Sequence, residues 1–126
     1  MRPLIQLFTL LLCTLACIPA WSQAWPSKPI RMIIAFPPGG PTDLVSRVLA
    51  QKLSEQLGQQ VFVDNKPGAG GVIGSQQVAK STPDGHTLVF ASIASHGIIP
   101  ALQTPPPYDA VKDFMPITLV ASTPNV

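Results

Sequence analysis

Apolar residues recur along this chain with two periods, and the chain alternates between them. Ile30 to Phe36 (Ile-Arg-Met-Ile-Ile-Ala-Phe) is a nearly unbroken apolar run between Pro29 and Pro37. A strand with so little alternation is one covered on both faces, as in a parallel sheet flanked by helices. Residues 43–57 change period: Val45, Val48, Leu49, Leu53 and Leu57 recur at helical spacing, Arg47, Lys52 and Glu55 lie on the other side, and Gly58 supplies the stop. Gln60 to Asp64, with Val-Phe-Val at its centre, reads as a second strand. The loop Asn65-Lys-Pro-Gly-Ala-Gly-Gly71 then leads into a helical stretch from about Val72 to Lys80. Pro83-Asp84-Gly85 is a turn, because proline presets φ while Asp and Gly tolerate the tight bend. Thr87 to Ala91 is a third apolar strand, Ser92 to Pro100 a loop or short helix, Thr104 to Tyr108 extended, and Pro116 to Ala121 a fourth strand.

Repeated strand–helix units joined by glycine-rich crossovers predict an α/β fold with a parallel sheet. Ligands of such sheets sit beyond the carboxyl ends of the strands, where loops 36–43, 65–72 and 91–97 all fall. The three turns therefore predict one site. Its most informative part is the first loop, in which the apolar run stops at Pro37-Pro38, bends through Gly39-Gly40 and opens a helix at Thr42 or Asp43. A helix N-terminus carries about half a positive charge and unpaired N–H donors, which suits a carboxylate or a phosphate.

The first residues change where the protein is expected to work. Met1-Arg2 is a short basic start, Leu4 to Ala16 is apolar apart from Gln6 and two threonines, and Ser22-Gln23-Ala24 offers small residues before a cut. That is the anatomy of a secretory signal peptide over residues 1–24, with cleavage after Ala24 and an exported product. Lipoprotein processing at Cys17 ranks second, since Thr14 stands where such signals carry an aliphatic residue. Cys13 and Cys17 both lie in the leader, so residues 25–126 hold neither a disulfide framework nor a cysteine metal site. Seven basic against six acidic residues remain after cleavage, with no Lys/Arg cluster, and this near neutrality argues against nucleic acid.

Other chemistries fit less well. Gly68-Ala-Gly70-Gly-Val-Ile-Gly74 follows a strand and opens a helix, but the third glycine of a dinucleotide fingerprint would fall on Ile73. A hydrolase would need Ser92 or Ser95 with His96 and Asp84, and no Gly-x-Ser-x-Gly elbow is present. His86 and His96, ten residues apart and without a Cys or carboxylate cluster, do not read as a metal pair. No enzymatic activity, cofactor or metal is expected.

Several segments together carry a resemblance. Trp25-Pro-Ser-Lys-Pro-Ile-Arg31, Phe36-Pro-Pro-Gly-Gly40 with Thr42-Asp43, Leu49-Ala-Gln-Lys-Leu-Ser54, Asn65-Lys-Pro-Gly-Ala-Gly-Gly71, Pro83-Asp-Gly85 and Tyr108-Asp-Ala-Val-Lys-Asp-Phe114 occur in this order. The chain from Trp25 onward resembles the Bug family, the TctC-like extracytoplasmic solute receptors of tripartite tricarboxylate transporters. The resemblance implies the N-terminal part of a bilobal, type II periplasmic binding protein that closes on a small organic acid and hands it to membrane permease subunits. It also implies a ligand site in which Phe36, Gly39, Gly40, Thr42 and Asp43 cradle a carboxylate while Ser92, Ser95 and His96 add hydrogen bonds. Asp43 is the odd member, because an acid beside an anion repels it. A role as helix cap or buried partner of the loop suits it better than direct contact.

Two residues depart from the family pattern: Pro41 replaces a third glycine, and Val72 replaces the asparagine after Gly-Ala-Gly-Gly. Both make the pocket less polar. The chain is also much shorter than family members, so a truncated first lobe (residues 25–126) is expected, binding a carboxylate weakly or surviving as a non-functional remnant. A periplasmic metabolite sensor for a signalling partner is the competing role.

Overall fold

The computed structural model describes residues 24–122, so the expected signal peptide lies almost wholly outside the described residues. Its elements alternate as the apolar periods do: β1 (Ile30–Ile34), α1 (Pro41–Leu57), β2 (Val61–Asn65), α2 (Val72–Ala79), β3 (Thr87–Phe90) and α3 (Ile99–Leu102). A 3₁₀ turn, Ala69–Gly71, precedes α2, and a π-helical turn, Ala94–Ile98, precedes α3.

The three strands form one parallel sheet in the order β2-β1-β3. Ile30 pairs with Val61 and Ile34 with Asn65 on one side, while Arg31 pairs with Thr87 and Ile34 with Phe90 on the other. The unbroken apolarity of β1 follows from this central position, and Ile30, Met32, Ile33 and Ile34 are all buried. The chain steps from β1 to β2 and then back across β1 to β3. Right-handed crossovers therefore put α1 and α2 on opposite faces. Ile30, Met32 and Ile34 meet Leu49, Ala50, Leu53 and Leu57 on the α1 side. On the other face Ala35 receives α2 closely, at a glycine, Gly74.

Turn chemistry closes the units. Gly58 ends α1 in the left-handed conformation, its N–H bonded to the Ser54 carbonyl. At the turn before β3, the Asp84 carboxylate accepts the His86 N–H (3.0 Å) and pairs with Lys28 (2.9 Å). The Lys28 ammonium, with that N–H, holds the Asp84 carboxyl at about 2. Arg31, on β1, forks onto Asp64 of β2. Burial alone would raise the Asp64 carboxyl, but Arg31 and Lys66 together hold it below its ordinary value. Lys28 and Arg31 are thus paired side chains and not simply solvated ones.

Three expectations are corrected. The helix opens at Pro41, a position where the missing N–H costs nothing, and not at Thr42 or Asp43. Its inward row is Asp43, Ser46, Leu49, Ala50, Leu53 and Leu57, so Val45 and Val48 face outward, Val48 at 64% exposure. Pro116 to Ala121 forms no strand, and Ile117 and Leu119 are exposed. A strand needs a ladder partner, and among the described residues none lies beside that run.

Candidate functional site

Parallel strands bring all three glycine- and serine-bearing loops to one sheet edge. The residue that joins them is Gly71, at φ 107°: a side chain there would stand 3.1 Å from the Ser95 Cβ, 3.3 Å from the Ala35 Cβ and 3.6 Å from the Phe36 ring. The first, second and third loops therefore touch at one point. Only a residue without a Cβ lets them do so at this backbone conformation.

The first loop is held from behind by a polar network centred on the buried Asp43 that the sequence pattern did not reveal. Asp43, 3% exposed, accepts the Gly39 N–H and the Arg47 Nε–H on Oδ2, each at 2.9 Å. Its Oδ1 accepts from the Asn65 amide at 2.9 Å. Asn65 also donates to the Phe36 carbonyl (3.2 Å) and accepts from Arg47 (3.0 Å). Arg47, then the Gly39 N–H and Asn65, hold the Asp43 carboxyl far below the usual carboxylate range. Asn65 sits at the end of β2 and Arg47 one helical turn past Asp43. Their spacing was visible in the sequence, but only the parallel register brings Asn65 to this loop.

With Asp43 turned back onto Gly39, the mouth of α1 is left to the main chain. Gly40 is the N-cap, in extended conformation, and no side chain caps the helix. Leu44 N–H is the first to bond within the helix, to the Gly40 carbonyl. Pro41 has no N–H, so Thr42 and Asp43 supply the donors of the first turn that lack an intrahelical acceptor. A side chain at Gly40 would meet only the Pro37 carbonyl, at 3.9 Å, so there is open space in front of this end. This arrangement suits an anion.

The third loop is tightly wound. Ser95 is fully buried, and its hydroxyl bonds Ser92 on main chain and side chain (3.2–3.3 Å) as well as His96 Nδ1 (3.0 Å). The His96 ring packs against both Tyr108 and Phe114, with centroids at 5.6 and 4.6 Å, in a cluster of three mutually touching rings. Its Nε2 is buried without a partner, and burial lowers its pKa. Of the expected site residues, Phe36, Gly39, Gly40, Thr42 and Ser92 lie on the loops of this edge. Asp43, Ser95 and His96 spend their side chains on the protein itself. A groove of about 440 Å³ lies at the opposite edge, lined by Lys28, Arg31, Phe62, Lys80, Asp84 and His86. Lys28 and Arg31 are internally neutralised there, and the groove presents no helix N-terminus, so it is the poorer anion site. Among the described residues no group of three or more His, Cys, Asp or Glu could hold a metal ion, and no helix is long and apolar enough to cross a membrane.

The parallel α/β sheet with its loops at one edge and the likeness to solved periplasmic binding proteins together define a class, a lobe of a type II periplasmic binding protein. Within it, the chain belongs to the TctC, or Bug, family: the model described as "Tripartite tricarboxylate transporter family receptor" matches residues 45–126. A protein from the tcbD-tcbE intergenic region of Pseudomonas sp. strain P51 is 46% identical over 107 residues, covering 82% of this chain and 31% of that protein. Protein BugT of Bordetella pertussis is 44% identical over 110 residues, covering 86% of this chain and 33% of BugT. Among solved structures, MatC from Rhodopseudomonas palustris with bound malate superposes with a TM-score of 0.70 at 37% identity, covering 73% of this chain and 31% of MatC. The chain thus spans about a third of the length of the curated relatives it matches.

Proposed function

We propose that this chain forms the carboxylate-cradling part of an extracytoplasmic receptor for a small organic anion, which it passes to the membrane subunits of a tripartite tricarboxylate-type transporter. The observation that carries the reading is the uncapped mouth of α1: no side chain caps its first-turn amides and a Cβ on Gly40 would meet nothing closer than 3.9 Å, while the nearby acid, Asp43, is consumed by Gly39, Arg47 and Asn65. Preorganised amides bind a carboxylate without importing a counter-charge, so the ligand can also be released. Family membership and the malate held by MatC support the ligand class. Phe36 would floor the pocket, with the main chain of Gly40 and Thr42 and the Ser92 hydroxyl as donors, while Gly39 shapes the loop with its own N–H held by Asp43. Asp43, Ser95 and His96 act one step back, by fixing those donors in place. Export by cleavage after Ala24 belongs to the same reading.

The test is titration calorimetry of the full-length exported protein against malate, adipate, tricarboxylates and an uncharged diol control at fixed ionic strength. Saturable binding of one or more acids, with none of the diol, is expected. Equal heats for acid and diol, or no heat with any acid, would overturn the reading.

A further inference from the structure

Beyond β3 the chain makes a strap that the sequence left as an extended segment. Tyr108, 5% exposed, donates its hydroxyl to the Ser95 carbonyl thirteen residues earlier. Gln76 of α2 anchors the same strap by donating to the Pro107 carbonyl (3.0 Å). Next, Asp109 accepts the Val111 and Lys112 N–H groups (3.0 Å each), and Asp113 accepts the Asp109 N–H (2.8 Å). This closed turn delivers Phe114 onto His96 and edge-on to Tyr108, with centroids 5.6 Å apart.

The need for the Tyr108 hydroxyl is written in the π-helical turn itself. Its main chain bonds five residues apart, as the Ile99 N–H does to the Ala94 carbonyl. By the same spacing the Ser95 carbonyl should take the N–H of residue 100, and residue 100 is proline. Pro100 therefore orphans a carbonyl in a fully buried residue, which is costly unless another donor arrives. Tyr108 is that donor.

Resting on the receptor reading above, we propose that Tyr108 is a positioning residue of the carboxylate site, locking the third loop through the Ser95 carbonyl that Pro100 leaves unpaired. Ser95 holds Ser92 by four contacts between their hydroxyls and main chain, and its Cβ lies where a side chain on Gly71 would be only 3.1 Å away. A shift of Ser95 is thus passed both to the Ser92 hydroxyl, proposed above as a ligand donor, and to the glycine loop. The strap sets the geometry of the donors without touching the ligand.

The experiment compares wild type, Tyr108→Phe, and Tyr108→Phe combined with Pro100→Ala in the full-length protein. Pro100→Ala returns an N–H to the position from which the Ser95 carbonyl was deprived. Amide hydrogen exchange, which needs no ligand, should show protection at residues 92–97 and 69–72 falling about tenfold in Tyr108→Phe, as for one lost hydrogen bond, with β1 and α1 unchanged. The double variant should regain it. Malate affinity should fall and recover in parallel. Unchanged exchange, or a loss spread evenly over the whole fold that Pro100→Ala does not reverse, would overturn the proposal. Should the wild type bind no acid at all, the receptor reading fails while the exchange measurement still decides the role of Tyr108.

Discussion

Asp43 folds its carboxylate back onto the main-chain N–H of Gly39, 2.9 Å away, and so turns its charge away from the mouth of the helix whose first turn it occupies. The same oxygen takes Arg47 Nε–H, and the other takes Asn65. An acid next to an anion site is thereby turned into the loop's anchor. Its value lies in what it orders.

Replacing Asp43 by Asn tests that anchor. One acceptor oxygen becomes an NH₂ that must face Arg47 with Gly39, or else Asn65, all of them donors. The melting temperature should drop by several degrees, and carboxylate affinity should fall at least about tenfold, the cost of one misplaced charge-assisted bond. The pH dependence has a definite sign. Arg47 and the Gly39 N–H lower the folded-state pKa, so Asp43 stabilises the fold at all pH values above its unfolded value of 3.8. That contribution disappears only as pH falls further, toward the depressed folded value. The melting gap between wild type and Asp43→Asn should stay constant from pH 5 to 8. A gap that closes already near pH 6 would contradict the network.

Gly40→Asp separates stability from binding. Gly40 is the N-cap at φ −78°, ψ 169°, a conformation any residue adopts, with nothing closer than 3.9 Å to a new Cβ. An aspartate there should cap α1, stabilising the fold by about 0.3–1 kcal/mol through its hydrogen bond and the helix dipole. The same carboxylate would occupy the proposed anion position, so binding of whichever organic acid the wild type takes up should vanish. A melting point equal to or above wild type, together with flat calorimetry, is the expected pair. Retained affinity would move the site away from the first loop.

Much of the fold was legible because burial of a central parallel strand leaves little polar face: Ile30 to Ile34, with Arg31 its one polar member, announced β1, and the glycine-rich crossovers announced the edge where the three loops meet. Less legible was anything set by register. Asn65 reads locally as a loop residue, yet the pairing of Ile34 with Asn65 places its amide under the Phe36 carbonyl and beside Asp43. Val45 and Val48 read as core by spacing, but the buried network draws Asp43 and Ser46 inward and rotates the valines out. His96 read as a ligand donor, and nothing in the local sequence tells that Phe114, eighteen positions later, covers its ring.

Gly71→Ala probes the point where the loops meet. A Cβ would be forced to φ 107°, outside the left-handed well that L-residues tolerate, and would press on Ser95 and Ala35 at 3.1 and 3.3 Å. Backbone strain of this kind costs on the order of 1–3 kcal/mol. Chemical denaturation should show that loss with an unchanged slope, and the affinity for any organic acid the wild type binds should fall with it as the loops are pushed apart. Wild-type stability in Gly71→Ala would mean that the three loops are not in contact.

His96 supplies an acid-sensitive element. Its ring is packed by Tyr108 and Phe114, Nδ1 bonds Ser95, and Nε2 is buried without a partner, so protonation would add a charge and a second N–H with nowhere to donate. Burial depresses its pKa below the ordinary 6.5. The sign follows from proton counting: between the folded and unfolded values the unfolded chain binds more protons, so stability falls as pH drops below about 6.5 and levels off once the folded value is passed. The nearby charges, Asp109, Lys112 and Asp113, are occupied within their own turn. Wild type should therefore lose melting temperature between pH 7.5 and 5, and His96→Phe, which keeps the aromatic packing but cannot be protonated, should lose distinctly less. Parallel melting curves for the two proteins across that range would show that His96 is not the group responsible.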